Sequence, residues 1–202
     1  CSSDLQIQKI TPLVNKILFR LNIGYDFGGW KDGFIDFGFE NLKNFDQCIL
    51  INNSVYPPLY DLNIVFNKMT ESKCDFWGIT YNDSNGKYEP YLNDYCYSHI
   101  QSYFICFNNN VFTSEVFINW WKNINYTNGF IDTIRNCETK LTKYLTEAGF
   151  TCNSYSKEYD LLSKYYNSDI LFSKPELCME NNFVFLKKKV ISLEDYRKNI
   201  IE

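Results

Sequence analysis

The sequence predicts an α/β fold, with a mainly parallel sheet flanked by helices, and three observations predict it. Short apolar runs alternate with stretches whose apolar residues recur at helical spacing. The turns between them are polar and rich in Asn, Asp and Gly. Hydrophobic residues make up 45% of the 202 residues, enough to bury a core without cross-links. No repeat, linker or charge block divides the chain, so residues 1–202 read as one domain.

The elements follow in order. Lys16–Arg20 reads as a short buried strand, followed by a glycine-rich turn over Asn22–Trp30 and a helix reaching about Leu42. Gln47–Ile51 reads as a strand covered on both faces, because its apolar run is unbroken. A polar turn over Asn52–Pro58 leads to Leu59, Leu62, Val65, Phe66 and Met69 at helical spacing. Cys74–Tyr81 and Gln101–Phe107 read as further strands on either side of a polar loop. Phe117, Trp120, Trp121 and Ile124 mark a helix that Thr113 or Ser114 caps. Leu141, Tyr144, Leu145 and Ala148 mark another, stopped by Gly149. In such sheets ligands bind beyond the C-terminal strand ends. The polar turns at 22–29, 52–58 and 80–101 fall there.

Composition narrows the function. A formal charge of -4 argues against a nucleic-acid partner, which favours a basic face. Aromatics at 18% suit stacking on sugars or bases, although most such rings serve as core. The eight cysteines show no CxxC pair and His99 is the one histidine, so a zinc site with close ligand pairs is not expected. Cys48 and Cys106 sit inside apolar runs, as buried free thiols do, which favours a reducing, cytoplasmic setting. No run approaches ~20 apolar residues, the length of a membrane span. The chain starts at Cys1 without Met, and is expected to be part of something longer.

Four constellations can carry chemistry. In Arg20–Trp30, Gly24 and its neighbours let backbone N–H groups approach a phosphate, Arg20 can pair with it, and Asp26 can accept from a sugar or base. The same run also serves as a plain strand-to-helix turn with Asp26 as cap. Asn52-Asn53-Ser54 follows a strand where two carboxylates would hold a divalent cation. Here both candidate positions are amides, which suit phosphate or sugar hydroxyls better. Glu138, read at the start of a helix, can serve as a general base or simply complement the helix dipole. His99, Gln101 and Ser102 cluster at the start of a strand.

These residues, in this order, resemble the rhamnan synthesis protein F family of bacterial polysaccharide glycosyltransferases. The matching runs are Arg20–Trp30, then Asn52-x-Ser54-Val55-Tyr56-x-Pro58, then Asp75-Phe76-Trp77-Gly78-Ile79-Thr80. They continue with His99–Phe104, Glu138-x-x-Leu141-Thr142 with Gly149, and Phe185-Leu186-Lys187, covering about residues 1–190. The family usually has Asn-Asp-Ser where this chain has Asn52-Asn53-Ser54.

The resemblance implies a GT-A-type, Rossmann-like fold whose first nucleotide-binding strand precedes residue 1. It implies a nucleotide-sugar donor such as dTDP-rhamnose. The acceptor would be a surface glycan or lipid-linked glycan, reached from the inner face of the membrane by peripheral association. Arg20, Asn22, Gly24, Tyr25, Asp26, Asn52, Asn53 and Ser54 would hold the donor. Trp77, Gly78, His99, Gln101 and Ser102 would meet the acceptor, and Glu138 would be the base of an inverting transfer. Mg or Mn is admitted by the family but has no two-carboxylate motif here. A retaining transferase, a non-catalytic nucleotide-sugar or glycan-binding domain and an adhesin are the competing readings.

Overall fold

The computed structural model describes residues 2–56, 58–156, 161–162, 165, 174–180 and 183–188. It is a mixed α/β arrangement around a small sheet. Helix α1 (Ser2–Ile10) precedes an irregular stretch, then α2 (Tyr25–Phe37) and α3 (Phe39–Leu42). Strand β1 (Gln47–Ile51), helix α4 (Leu62–Glu71) and strand β2 (Phe76–Gly78) follow. The short strands β3 (Tyr81–Asn82), β4 (Lys87–Glu89), β5 (Asp94–Cys96) and β6 (His99–Ile100) lead to β7 (Phe104–Asn108). Then come α5 (Asn109–Phe112), α6 (Glu115–Asn123), α7 (Phe130–Thr133), a π-helical turn at Ile134–Glu138, α8 (Thr139–Glu147), β8 (Cys152–Ser154) and α9 (Pro175–Glu180).

The central sheet has the order β1-β7-β2-β8. Strand β7 runs antiparallel to both β1 and β2, while β8 is parallel to β2. The sheet is therefore mixed, and the expected mainly parallel sheet is corrected on this point. The reason lies in the connections. The polar loop at 80–101 folds into two-stranded ribbons, β3 with β6 and β4 with β5, that return the chain in the opposite direction.

The pleat divides the core. Phe104 and Cys106 of β7 face a cluster with Val65, Met69 and Trp77. Ile105 and Phe107 face the other way, into Phe27, Phe34, Phe112, Phe117 and Trp121. Three expectations change here. Lys16–Arg20 is irregular rather than a strand, with Phe19 72% exposed. It is tied sideways to α2 by Lys16–Asp36 and Arg20–Asp32 ion pairs instead of by a backbone ladder. Strand β1 is an edge with Ile49 and Ile51 exposed, so only one face is covered. The long helix expected to reach Leu42 breaks at Gly38, whose φ of 84° lies in the left-handed region.

Side chains cap two of the helices, and of Thr113 and Ser114 it is Ser114 that caps α6. The Asp61 carboxylate accepts from the Asn63 N–H at 2.9 Å to start α4, and the Ser114 hydroxyl accepts from the Phe117 N–H at 3.2 Å to start α6. Cys48, Cys74, Cys96, Cys106, Cys137 and Cys152 are free thiols. Burial pushes Cys106 up to about 12 and Cys137 up to about 11. Among the described residues no helix is long and apolar enough to cross a membrane.

Candidate functional site

Because β7 opposes β1, the N-terminal end of β7 lies beside the C-terminal end of β1, with Ile51 paired to Phe104. Two polar segments distant in sequence, Asn52–Ser54 and Gln101–Ser102, are thereby placed at one edge. Helix α2 presents its first turn to the same place. Gly24 takes a φ of 77° and its N–H donates to the Thr127 carbonyl at 2.8 Å, anchoring the turn to the segment before α7. A Cβ on Gly28 would stand 2.2 Å from the Ile23 carbonyl oxygen, so the first turn can close this tightly only with glycine.

A cleft of about 260 Å³ opens there, lined by Tyr25, Asp26, Asn52, Ser54, Ser102 and Glu138 among others. The Asn52 amide bridges its two sides. Its Nδ2 donates to the Asp26 carboxylate at 2.9 Å, and its Oδ1 accepts from the Ser54 N–H at 2.9 Å and hydroxyl at 2.6 Å. The Glu138 carboxylate accepts from the Ser102 N–H at 3.0 Å. That bond holds one of the two carboxylate oxygens in place at the cleft. Lys187 and Lys188 close the lining. They arrive because residues 183–188 lie along the 54–59 segment: the Tyr56 N–H donates to the Leu186 carbonyl and the Lys188 N–H to the Ser54 carbonyl.

The electrostatics are those of opposed charges in a confined space. Burial raises the Asp26 carboxyl pKa, and the Glu138 charge raises it further. The Asn52 hydrogen bond and Lys187 oppose that rise without cancelling it. A carboxyl displaced in this direction, next to a second one, is a common mark of a functional site.

Glu138 does not begin a helix. It ends the π-helical turn that runs from α7 into α8. The wider turn rotates the Glu138 side chain out of the regular helical series, and such turns are frequent at functional sites.

The remaining sequence-derived residues do not line the cleft. Arg20 is engaged by Asp32 and by the Ile23 carbonyl, supporting the turn from outside the cleft lining. Asn22 and Asn53 are exposed. Trp77 is 2% exposed and packs edge-on to Phe66 and against Phe104 in the core. Gly78 admits the Ile100 side chain, which a Cβ would meet at 2.1 Å. His99 is buried with Nδ1 2.7 Å from the Tyr97 carbonyl, and Gln101 accepts from the Thr80 hydroxyl at 2.8 Å.

Phe130, Thr133, Ile134 and Lys188 line the cleft without a sequence signal of their own. Lys187 stood in a family-like run but carried no role. No pattern near these residues points at Asp26. Only the return of the 183–188 segment brings the lysines in.

No three His, Cys, Asp or Glu side chains converge among the described residues, and the Asn52 amide is already committed to Asp26 and Ser54.

Comparisons with known proteins bear on this site. No solved structure matches the chain. A protein of Sinorhizobium fredii (strain NBRC 101917 / NGR234), described as uncharacterized protein y4gN, is 29% identical over 169 residues. That match covers 84% of this chain and 42% of the relative, so the chain spans less than half of the relative's length. The family model described as rhamnan synthesis protein F matches residues 2–201, which includes every residue lining the cleft. The chain belongs to the rhamnan synthesis protein F family.

Proposed function

We propose that the chain acts in rhamnan polysaccharide synthesis as a glycosyltransferase that uses a nucleotide-sugar donor. One observation carries the reading. Two carboxylates, Asp26 and Glu138, and two lysines, Lys187 and Lys188, line one cleft at the end of a sheet. A donor of the dTDP-rhamnose kind brings a diphosphate, and the lysines supply its counter-charge without a metal. Asp26 and Asn52 meet donor hydroxyls. The Glu138 carboxylate takes the proton of an acceptor hydroxyl. The acceptor oxygen then attacks the anomeric carbon as the bond to the diphosphate breaks, which inverts the configuration. The nucleoside diphosphate leaves with its charge met by the lysines. The acceptor is a surface or lipid-linked glycan at the cytoplasmic face of the membrane.

The test is thermal unfolding of the full-length protein with a panel of nucleotide sugars. Ligand binding stabilises by RT ln(1 + [L]/Kd), so a true donor raises the midpoint in proportion to the logarithm of its concentration. No shift with any nucleotide sugar overturns the reading. A second reading, a non-catalytic nucleotide-sugar-binding domain, is favoured by the exposed amide of Asn53, which stands where the family usually has Asp. It predicts the same shift with neither transfer nor donor hydrolysis.

A further inference from the structure

The π-helical turn has two sides. Ile134 and Glu138 line the cleft, while Asn136 and Cys137 line a second, separate groove of about 370 Å³. The groove falls within the roughly 300–1,000 Å³ common for small-ligand sites. Its other walls come from α6 and α8 and the segment between α6 and α7: Asn119, Trp120, Asn123, Asn125 and Tyr144.

Its chemistry differs from the cleft's. No charged side chain lines it among the described residues. Four asparagines each offer an amide that both donates and accepts. Trp120 and Tyr144 pack at 4.9 Å between ring centroids, tilted by 44°. The Trp120 indole N–H is itself buried, with no hydrogen-bond partner among the described residues.

We infer that this groove binds a neutral oligosaccharide through the Trp120–Tyr144 aromatic wall and the asparagine amides. Amides that donate and accept match vicinal hydroxyls, which do both. An aromatic wall covers the apolar C–H faces of a sugar ring. A lining without charge disfavours phosphates and carboxylates, which a lysine-lined site would collect. The proposal rests on the transferase reading only for its biological role. Bound there, an acceptor chain would have its distal sugars in the groove, while the π-helical turn carries Glu138 on its other side toward the reacting end.

The experiment is saturation-transfer NMR on the full-length protein with a rhamnose trisaccharide and maltotriose, followed by titration calorimetry. At least one is expected to bind. Tyr144→Ala and Asn136→Asp are expected to weaken that binding by about tenfold or more, as removal of an aromatic anchor typically does. Tyr144 is 37% exposed, so Tyr144→Ala should keep its midpoint within a few degrees, and Asn136→Asp repeats the test on an exposed side chain. Saturation transfer from neither sugar, or binding unchanged in both variants, overturns the groove. The nucleotide-sugar panel reports on the cleft alone. A donor shift without oligosaccharide binding sinks the groove and keeps the transferase, and the reverse result sinks the transferase and keeps the groove.

Discussion

Replacing Glu138 with Gln and, separately, with Ala divides what its carboxylate does for the fold from what it does for the reaction. The Ser102 N–H that it accepts at 3.0 Å belongs to a residue only 9% exposed, where little water can take over. Gln keeps an oxygen for that N–H. A hydrogen bond to a charged acceptor contributes roughly 1.5–3 kcal/mol and a neutral one about 0.5–1.5, so Gln costs about 1 kcal/mol. Part of that returns, because removing the Glu138 charge also relieves the Asp26 carboxylate it repels. Ala leaves the N–H unpartnered, at roughly 1–3 kcal/mol.

The chemical loss is larger and the same in both. A missing general base lowers turnover by ~10²–10⁴, or about 3–5 kcal/mol of barrier. Transfer measured with a donor identified in the thermal panel, with donor affinity by calorimetry and stability by circular dichroism, separates the two effects. Gln should bind donor and melt near the parent while turnover collapses. Near-normal turnover in Gln would refute the catalytic role. A Gln midpoint as low as that of Ala would refute the role assigned to the Ser102 bond.

Two further outcomes are expected. Gly28→Ala places a methyl group 2.2 Å from the Ile23 carbonyl oxygen and 2.9 Å from the Arg20 guanidinium. It should lower stability by about 2 kcal/mol or more, as overpacking does, and weaken donor binding, because the first turn of α2 carries Asp26; an unchanged urea midpoint would count against it. Asp26→Asn should raise stability at neutral pH. A carboxyl pKa raised in the folded state means that the folded protein binds the extra proton. Stability is therefore greatest below the ordinary value of 3.8 and declines as pH rises through the folded value. The variant's advantage should accordingly fade on acidification toward pH ~4, with Asn still able to accept from Asn52. An advantage that grows on acidification would contradict the raised pKa.

The sequence alone determined the local features. Periodicity located α4, α6 and α8, because an amphipathic face repeats whatever it packs against. Thr113 or Ser114 marked the start of α6, and the glycines of 24–29 gave the tight turn, since both act within a few residues. The ordered runs gave the family.

Tertiary structure decided the rest. An apolar run reads alike whether one or both of its faces are covered, so β1 looked central and proved to be an edge. Trp77, which the family resemblance put on the acceptor side, fills the core, because an aromatic ring's chemistry does not say which way it faces. Strand direction follows from how loops return, so the antiparallel β7 was not legible in residues 80–101. The cleft depends on that reversal and on the return of residues 183–188. Together these bring Asp26, Asn52, Ser102, Glu138 and Lys187 to one place from five separate parts of the chain. Local sequence rules act over a few residues, and hydrogen bonds spanning 26 and 36 positions lie beyond their reach.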